Sequence, residues 1–185
     1  MGRYFTTLTQ TDAMAELLWS SPLVALAEAG PARQVGLRLS PPFPAYLAGV
    51  PLPLTPNRVA VMGALRVLWL GPDEWLVVAE GDAPDLLPRL ERAVAGLRAA
   101  VTDLSSSRAI LELSGAGARD LLAAGCGIDL HPRVFGPGQC AQTLLARVPV
   151  VFHQLSNAPQ YRVLVWRSYA RWLVEWMIDA AEGLG

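Results

Sequence analysis

The order strand, turn, strand, helix recurs about three times along this sequence, and that recurrence limits the possible folds more than any other feature. The three units end near Arg98, Gly125 and Ala181. A unit of this kind buries its helix on one face of its strands. The sequence therefore predicts an α+β fold with mixed or antiparallel sheets and helices packed on one side. Because single strands and helices do not alternate regularly, it excludes a doubly wound parallel sheet.

The first unit opens with two apolar runs, Val59–Leu70 and Trp75–Ala79, joined by a short glycine- and proline-containing turn. Runs of this length on either side of turn residues predict a hairpin. A helix follows, beginning at Asp82 or Asp85 and ending near Arg98, because its leucines recur with helical spacing.

The second unit is predicted to contain a strand at Arg108–Leu113 and a polar hairpin turn at Ser105–Ser107. A short helix follows from Ser114 to Gly125, with the Ser114 hydroxyl as its N-cap. The glycines after Ser114 stand where a dinucleotide fingerprint would lie, but Asp120 occupies the position of its third glycine and would repel a pyrophosphate. A glycine turn is therefore the predicted role of this motif.

The third unit is predicted to contain a sheet run at Ala141–Gln154, interrupted at Pro149, and a strand at Tyr161–Trp166. Ser168 is then expected to cap the last helix. The stripe predicted to be buried in that helix consists of Tyr169, Trp172, Leu173, Trp176 and Ala180. Core packing is the first interpretation of the tryptophans, and a place at an interface is the second.

The part of the chain before these units has a different pattern. A short amphipathic helix is predicted over Asp12–Leu18, and alternating apolar residues from Val35 to Leu39 predict a strand. The proline-rich segment Pro41–Pro56 is predicted to be a loop. We therefore expect an N-terminal extension with a proline-rich loop over residues 1–57 and an α+β region over residues 58–185, together forming one structural unit.

The composition excludes several classes of function. All fifteen basic residues are arginine, so the chain cannot form a lysine Schiff base or a P-loop lysine contact. The formal net charge of −1 gives no electrostatic footprint for nucleic acid or an anionic membrane. Apolar residues make up 52% of the chain, which predicts either a thick core or apolar surface that a partner covers.

Cellular location is predicted from the cysteines and the apolar runs. Cys126 and Cys140 occur without a secretory signal pattern, which predicts free thiols in a reducing cytoplasm. The longest apolar run, Val59–Leu70, contains Arg66 and is too short to span a bilayer. We therefore expect a soluble cytoplasmic protein without a membrane segment.

A zinc site can be considered from the cysteines and histidines. Its ligands would be Cys126, His131, Cys140 and His153. Structural zinc sites usually take ligands in close pairs that one tight turn presents, and no such pair occurs here. The alternative for His131 is a loop histidine hydrogen-bonded to neighbouring backbone, and this alternative is favoured.

Three motifs carry a family resemblance. They are Leu70–Leu76, then Asp103–Ser105 with Ala109–Gly115, and then Ile128–Arg133 with Phe135 and Gly138, after which Arg167-Ser168 opens a tryptophan-rich last helix. Together they resemble the γ subunit of heterotetrameric sarcosine oxidase over about residues 60–182. The run Ile-Asp-Leu-His-Pro-Arg at 128–133 is the most specific part.

That family is similar to the folate-binding domain of the glycine-cleavage T-protein, so the resemblance implies a T-protein-like α+β fold. This chain has Gly63-Ala64 where T-proteins carry an acidic pair, and Ser156–Pro159 where they have a Gly-Tyr-Thr-Gly-Glu turn. The lysine and cysteine motif of the T-protein-like iron–sulfur assembly factors is also missing. Folate binding by the carboxylates of the T-protein pattern is therefore not expected.

The resemblance implies a non-catalytic subunit that acts in the assembly and stability of an oxidase complex. Such a complex converts sarcosine to glycine, hydrogen peroxide and 5,10-methylenetetrahydrofolate. Its α and β subunits hold FAD, FMN, NAD and tetrahydrofolate, and its δ subunit holds zinc. We expect no catalytic, cofactor-binding or metal residue in this chain. The interface residues implied by the motif positions are Ile128, Asp129, His131, Arg133 and Arg167.

Two other functions remain open from the sequence. One is a stand-alone folate- or pterin-binding protein with a T-protein-like fold. The other is the γ subunit of a related oxidase that acts on another N-methyl amine, because a subunit that does not contact the substrate cannot report its identity.

Overall fold

The computed structural model describes residues 16–184, and in that range the chain forms thirteen strands and three helices. In chain order the strands are β1 (Glu16–Ser20), β2 (Ala25–Glu28), β3 (Ala32–Leu39), β4 (Tyr46–Leu47), β5 (Val50–Pro51), β6 (Val59–Met62), β7 (Leu65–Gly71), β8 (Glu74–Glu80), β9 (Ala99–Asp103), β10 (Arg108–Ser114), β11 (Cys140–Leu145), β12 (Val148–Ser156) and β13 (Gln160–Trp166). The helices are α1 (Leu86–Ala93), α2 (Ala118–Gly125) and α3 (Arg167–Glu182). Each predicted unit therefore does end in a helix.

The strands form two large sheets. The first sheet has six strands in the order β1-β2-β10-β13-β12-β11, and the second has five in the order β6-β7-β8-β3-β9. Strands β4 and β5 pair with each other. All pairings between these strands are antiparallel. The predicted α+β fold with antiparallel sheets is confirmed.

The two sheets pack face to face, and each carries its helices on the outer face. Successive residues of a strand point to opposite faces, so neighbours in β10 enter different cores. Ile110 packs with Leu68 and Leu76 of the second sheet, whereas Leu111 packs in the core that contains α2 and α3. On the far side of the second sheet, Leu90 of α1 belongs to a separate core. The helices of each sheet thus lie on one side of it, as predicted.

The predicted hairpin across Ser105–Ser107 is wrong. Strand β9 pairs with β3 in the second sheet, while β10 pairs with β2 and β13 in the first. The polar turn therefore carries the chain from one sheet to the other. It is held there because the Ser105 hydroxyl donates to Asp103 Oδ1 at 2.6 Å and accepts from the backbone N–H of Gln34 at 3.0 Å.

The N-terminal part of the described chain belongs to both sheets. Strand β1 includes Leu17 and Leu18, where a helix was predicted, because this segment pairs with β2 instead. The rest of the predicted helix, residues 12–15, lies outside the described residues. The strand predicted from Val35 to Leu39 is confirmed as part of β3, between β8 and β9. The division at residue 57 stays a prediction.

Two predicted breaks in the strand pattern lie elsewhere in the structure. The proline-rich segment is not all loop, since β4 and β5 form a short hairpin within it. The run from 141 to 154 turns at Ala146-Arg147, whose φ angles are +48° and +72°, and not at Pro149. The proline is tolerated because it lies where β12 pairs with β11 alone.

The helices begin and end at other residues than predicted. Helix α1 stops at Ala93 instead of near Arg98, and Gly96 turns the chain with a φ of +82°. Helix α2 is preceded by Gly117 and not by Ser114, which is the last residue of β10. Ser168 lies inside the first turn of α3. Within residues 16–184, none of the helices has the length and apolarity needed to cross a membrane.

The buried face of α3 also differs from the predicted one. The residues of α3 that are fully buried are Ala170, Leu173, Val174, Met177, Ile178 and Ala181. Of the predicted stripe only Leu173 is among them, while Tyr169 and Trp172 remain 47% and 48% exposed. Aliphatic side chains and alanine are the types most often fully buried, whereas tyrosine and tryptophan carry a polar group and are more often partly exposed.

Candidate functional site

Four charged side chains connect the two sheets at one end of the core between them. Glu112 of β10 and Arg162 of β13 are directly opposite each other in the first sheet, and Arg66 and Glu80 extend from β7 and β8 of the second. Each lies on the strand face that carries the apolar residues buried between the sheets. Strand alternation therefore directs all four toward the same space.

Arg162 is the centre of this group, which we call the charged bridge. Its Nε donates to Glu112 Oε1 at 2.8 Å and its Nη2 lies 2.7 Å from the same oxygen. Its Nη1 donates to Glu80 Oε1 at 2.5 Å. Arg66 also pairs with Glu80, and burial followed by the neighbouring Arg162 lowers the pKa of Arg66. The bridge thus ties both sheets together through one guanidinium.

Two buried polar residues of β12 lie beside the charged bridge. Burial, and then repulsion by Arg162 and Arg66, lowers the pKa of His153 to about 3, so its imidazole is neutral near pH 7. Gln154 is 3% exposed, and its Nε2 donates to the carbonyl of Ser156 at 2.8 Å. Its Oε1 is buried and accepts no hydrogen bond from the described part of the chain. An unsatisfied buried acceptor of this kind is unfavourable.

A groove of about 410 Å³ opens over these residues. We call it the inter-sheet groove. The charged bridge lines it together with His153 and Gln154 of β12 and with Val59 and Val61 of β6. A smaller cavity of about 150 Å³ adjoins it at Glu80, Glu112 and Arg162.

The groove is lined by charged, polar and aliphatic residues. None of the residues that line it is a serine, threonine, cysteine or lysine, so it offers no hydroxyl, thiol or amine nucleophile. Both carboxylates are held in ion pairs with Arg162. Neither is placed as an unpaired acid or base of the kind that general acid–base catalysis requires.

Removing the centre of the charged bridge is expected to destabilise the protein. In Arg162→Leu, Glu80 and Glu112 lose the cation that they share. We expect the free energy of unfolding to fall by about 2 kcal/mol. This is less than the loss for a fully buried ion pair, because Glu80 is part-exposed. Chemical denaturation followed by tryptophan fluorescence measures this.

The matched control is Arg38→Leu, which removes an exposed ion pair of 2.6 Å with Glu74 in the same second sheet. Such surface pairs contribute less than about 1 kcal/mol. Equal losses in the two variants would show that the charged bridge does not stabilise the contact between the sheets.

Four of the five residues predicted for an interface lie in one compact loop. Asp129 Oδ1 accepts from the backbone N–H of His131 at 2.8 Å, and His131 Nδ1 accepts from the backbone N–H of Arg133 at 3.2 Å. The alternative that His131 is hydrogen-bonded to neighbouring backbone is confirmed. Ile128 packs against the core beneath α2 and α3, while Asp129, His131 and Arg133 are exposed.

Arg167, the fifth residue, lies in a different element from that loop. It is the first residue of α3, is half-buried, and its backbone N–H donates to the carbonyl of Ser107 at 3.0 Å. It therefore fixes the start of the last helix to the turn between the sheets. A role at an interface stays a prediction for all five residues.

The candidate zinc ligands are not clustered. Within residues 16–184, no group of three or more histidine, cysteine, aspartate or glutamate side chains could hold a metal ion. Cys126 and Cys140 are both free thiols. Burial raises the pKa of Cys140 to about 11, which suits a packed thiol and not a metal-bound thiolate. His131 is in the exposed loop, and His153 is in the inter-sheet groove.

The tryptophans divide between core and surface. Trp75 is fully buried, and its Nε1 donates to the carbonyl of Pro53 at 2.8 Å. The rings of Phe43 and Trp75 pack edge to face, with their centroids 5.4 Å apart. Trp166 is 40% exposed and lies under the guanidinium of Arg108, 4.3 Å from the ring centre. Core packing is thus confirmed for Trp75, whereas Trp166 and Trp172 are partly exposed.

The charged bridge and the groove were not predicted from the sequence. The charged bridge takes its residues from four strands of two sheets, and the groove adds residues of β6 and β12, so no local motif contains them. The available signal was Glu112, a charge inside an otherwise apolar strand, together with Arg66 inside the longest apolar run. Charges at positions that alternate with core residues mark a polar site between sheets.

Comparison with known proteins identifies the family. Residues 43–183 match the profile of the sarcosine oxidase, gamma subunit family. The chain is 38% identical over 163 residues to the sarcosine oxidase subunit gamma of Corynebacterium sp. (strain U-96), covering 85% of this chain and 78% of the relative. It is also 38% identical over 163 residues to the subunit gamma of an Arthrobacter species, covering 85% and 79%.

Solved structures agree with this assignment. A chain of the heterotetrameric sarcosine oxidase from Corynebacterium sp. U-96, solved in complex with pyrrole 2-carboxylate, aligns with a TM-score of 0.82 and 36% identity, covering 90% of this chain and 88% of that one. The glycine cleavage aminomethyltransferase T from Bartonella henselae aligns with a TM-score of 0.61 and 16% identity, covering 82% and 44%. The second match shows the fold alone, which is T-protein-like. The chain therefore belongs to the sarcosine oxidase gamma subunit family.

Proposed function

We propose that this chain is the non-catalytic γ subunit of a heterotetrameric sarcosine oxidase and that it acts in the assembly and stability of the complex. The observation that carries the proposal is the alignment of 90% of the chain with a chain of such an oxidase. The groove supports it, because its lining offers no nucleophile and its carboxylates are already paired.

In this proposal the chemistry takes place in the partner subunits. The complex oxidises the N-methyl group of sarcosine to an iminium and transfers the one-carbon unit to tetrahydrofolate. The products are glycine, 5,10-methylenetetrahydrofolate and hydrogen peroxide. FAD, FMN, NAD and tetrahydrofolate bind in the α and β subunits, zinc binds in δ, and the complex is cytoplasmic. The γ subunit contributes contact area to these partners.

Co-expression with and without this chain tests the proposal. We expect the α, β and δ subunits to co-purify with the tagged chain and to bring the flavin absorbance with them. Omitting the chain is expected to lower the yield of active complex, because partner surfaces that it covers become exposed. A stable and fully active αβδ complex without it would remove the proposed role.

A second candidate function is folate or pterin binding by the isolated chain. The observation in its favour is the T-protein-like fold with a polar groove. Against it, Gly63 and Ala64 form the exposed turn between β6 and β7, so no carboxylate stands at the T-protein position. Calorimetric titration of the purified chain with tetrahydrofolate separates the two, since micromolar binding would favour this second function.

The remaining alternative is that the complex acts on a substrate other than sarcosine. An oxidase acting on another N-methyl amine would need the same γ subunit, because a subunit that makes no contact with the substrate does not select it. Steady-state kinetics of the purified complex with sarcosine and with other N-methyl amines identifies the substrate.

A further inference from the structure

The free edge of β6 is the starting point. Strand β6 is the last strand of the second sheet and pairs with β7 on one side. The backbone N–H of Trp69 donates to the carbonyl of Arg58 at 3.0 Å. This bond shows which residues of β6 direct their backbone N–H and C=O groups toward β7. Residues 58, 60 and 62 bond to β7, so the backbone groups of Val59 and Val61 point away from it.

One of these outward groups is already used. The backbone N–H of Val59 donates to the carbonyl of Gly138 at 2.9 Å. The N–H and C=O of Val61 then lie on the open part of the edge, beside the inter-sheet groove that the Val61 side chain lines. Val61 itself is 61% exposed.

Edges of this kind are usually protected in monomeric proteins. Charged side chains, prolines or bulges prevent another strand from pairing with the exposed N–H and C=O groups. The β6 edge and the turn after it, residues 59–64, contain no charge and no proline, and the β6–β7 pairing has no bulge. By contrast, β9 at the other edge of the same sheet ends in Asp103, which pairs with Arg33.

The groove beside this edge is lined by two guanidinium groups, Arg66 and Arg162, and by two carboxylates, Glu80 and Glu112. These charges pair with one another in the charged bridge, so the bridge contributes no net charge to the groove. The hydrogen-bonding groups that the edge offers to a partner are therefore the backbone N–H and C=O of Val61.

From these observations we infer that the β6 edge beside the inter-sheet groove receives an extended segment of a larger oxidase subunit. The segment pairs its backbone with the N–H and C=O of Val61 and adds a short strand to β6. This inference rests on the proposed function, because it requires partner subunits.

An extended peptide fits the site better than a small polar molecule does. The edge at Val61 presents one donor and one acceptor on the same residue, which is the pattern that the backbone of a second strand complements. This arrangement satisfies the open N–H and C=O of β6.

The test uses two variants of one residue in the co-expressed complex. Val61→Pro removes the outward N–H while keeping the bonds to β7, and proline is tolerated at such an edge position. We expect it to weaken association with the partner subunits by roughly tenfold, measured by competition against tagged wild-type chain. Val61→Ala keeps the N–H and is expected to compete within about twofold of wild type.

Hydrogen exchange of the wild-type chain provides a measurement that does not depend on a variant. The amide of Val61 is expected to exchange quickly in the isolated chain and to become protected in the complex. Unchanged exchange in the complex, or equal competition by Val61→Pro and wild type, would overturn the inference. Protection of Val61 in a dimer of the isolated chain would also overturn it, in favour of a second copy as the occupant.

The two proposals fail in different ways. If the wild-type chain does not co-purify with the other subunits, the proposed function fails. If it co-purifies and Val61 stays unprotected, the proposed function stands and this inference fails.

Discussion

Replacing Gly115 with alanine is expected to lower the free energy of unfolding by roughly 4 kcal/mol. Gly115 has a φ of +109°, a conformation that is unfavourable for any residue with a side chain. An added Cβ would also collide with the carbonyl oxygen of Leu23 and lie 3.0 Å from its carbonyl carbon. That carbonyl cannot move freely because it accepts a hydrogen bond from the N–H of Gly117 at 2.9 Å. Denaturant titration of the purified chain measures the loss.

Substitutions of two other glycines separate the backbone strain from the steric collision in Gly115→Ala. Gly96 has a φ of +82° and no atom within 4 Å of an added Cβ, so Gly96→Ala is expected to lose only about 1 kcal/mol from backbone strain. Gly127 has open space and no positive φ, and Gly127→Ala is expected to change stability by less than about 0.5 kcal/mol. A Gly115→Ala variant as stable as Gly96→Ala would show that β10 and the loop at Leu23 do not approach as closely as described.

The same contact shows what local sequence patterns cannot supply. The glycine turn after β10 was predicted from the sequence, together with a helix after it. What the pattern could not show is that Leu23, more than ninety residues earlier in the chain, lies against this turn. Strand existence depends on local alternation of apolar residues, whereas strand partners depend on contacts distant in sequence.

Strands β9 and β10 illustrate this limit. A polar turn between two apolar runs is the usual sign of a hairpin, and the sequence contains nothing that distinguishes it from a turn that crosses between sheets. The distinction comes from Gln34 of β3, whose backbone N–H bonds to Ser105 and whose Nε2 donates to the carbonyl of Arg108 at 3.0 Å. The fold class could be predicted, but the sheet to which each strand belongs could not.

Helix α3 illustrates a second limit. Two stripes with helical spacing run along it, an aromatic one through Tyr169 and Trp172 and an aliphatic one through Leu173 and Met177. The sequence prediction placed the aromatic residues in the buried stripe. The structure buries the aliphatic stripe and leaves both of those aromatic residues nearly half exposed. Periodicity predicts that a helix is amphipathic, while its rotation is set by how side-chain volumes fit the sheet.

Lowering the pH from 7 to 5 is expected to reduce the free energy of unfolding by about 2 kcal/mol through His153 alone. The histidine has a pKa of about 3 in the folded chain and 6.5 as its ordinary value. Below pH 6.5 the unfolded chain therefore binds a proton that the folded chain does not. Each further pH unit down to about 3 favours unfolding by about 1.4 kcal/mol. The contribution of His153 is complete above pH 6.5 and is lost as the pH falls.

Two substitutions assign this pH dependence to one residue. His153→Gln keeps a neutral polar side chain of similar size beside Arg66 and Arg162, and we expect its unfolding free energy to fall by about 2 kcal/mol less than that of wild type between pH 7 and 5. His131→Gln removes the other histidine of the chain and retains His153, so it is expected to show the wild-type fall. Denaturant titrations at pH 7 and pH 5 measure the fall in unfolding free energy for wild type, His153→Gln and His131→Gln. If His153→Gln and wild type fell equally, the imidazole would have to be protonated readily in the folded state. The carboxylates of Glu80 and Glu112 in the same groove would then outweigh burial and the repulsion by Arg162 and Arg66, and the low pKa of His153 would be wrong.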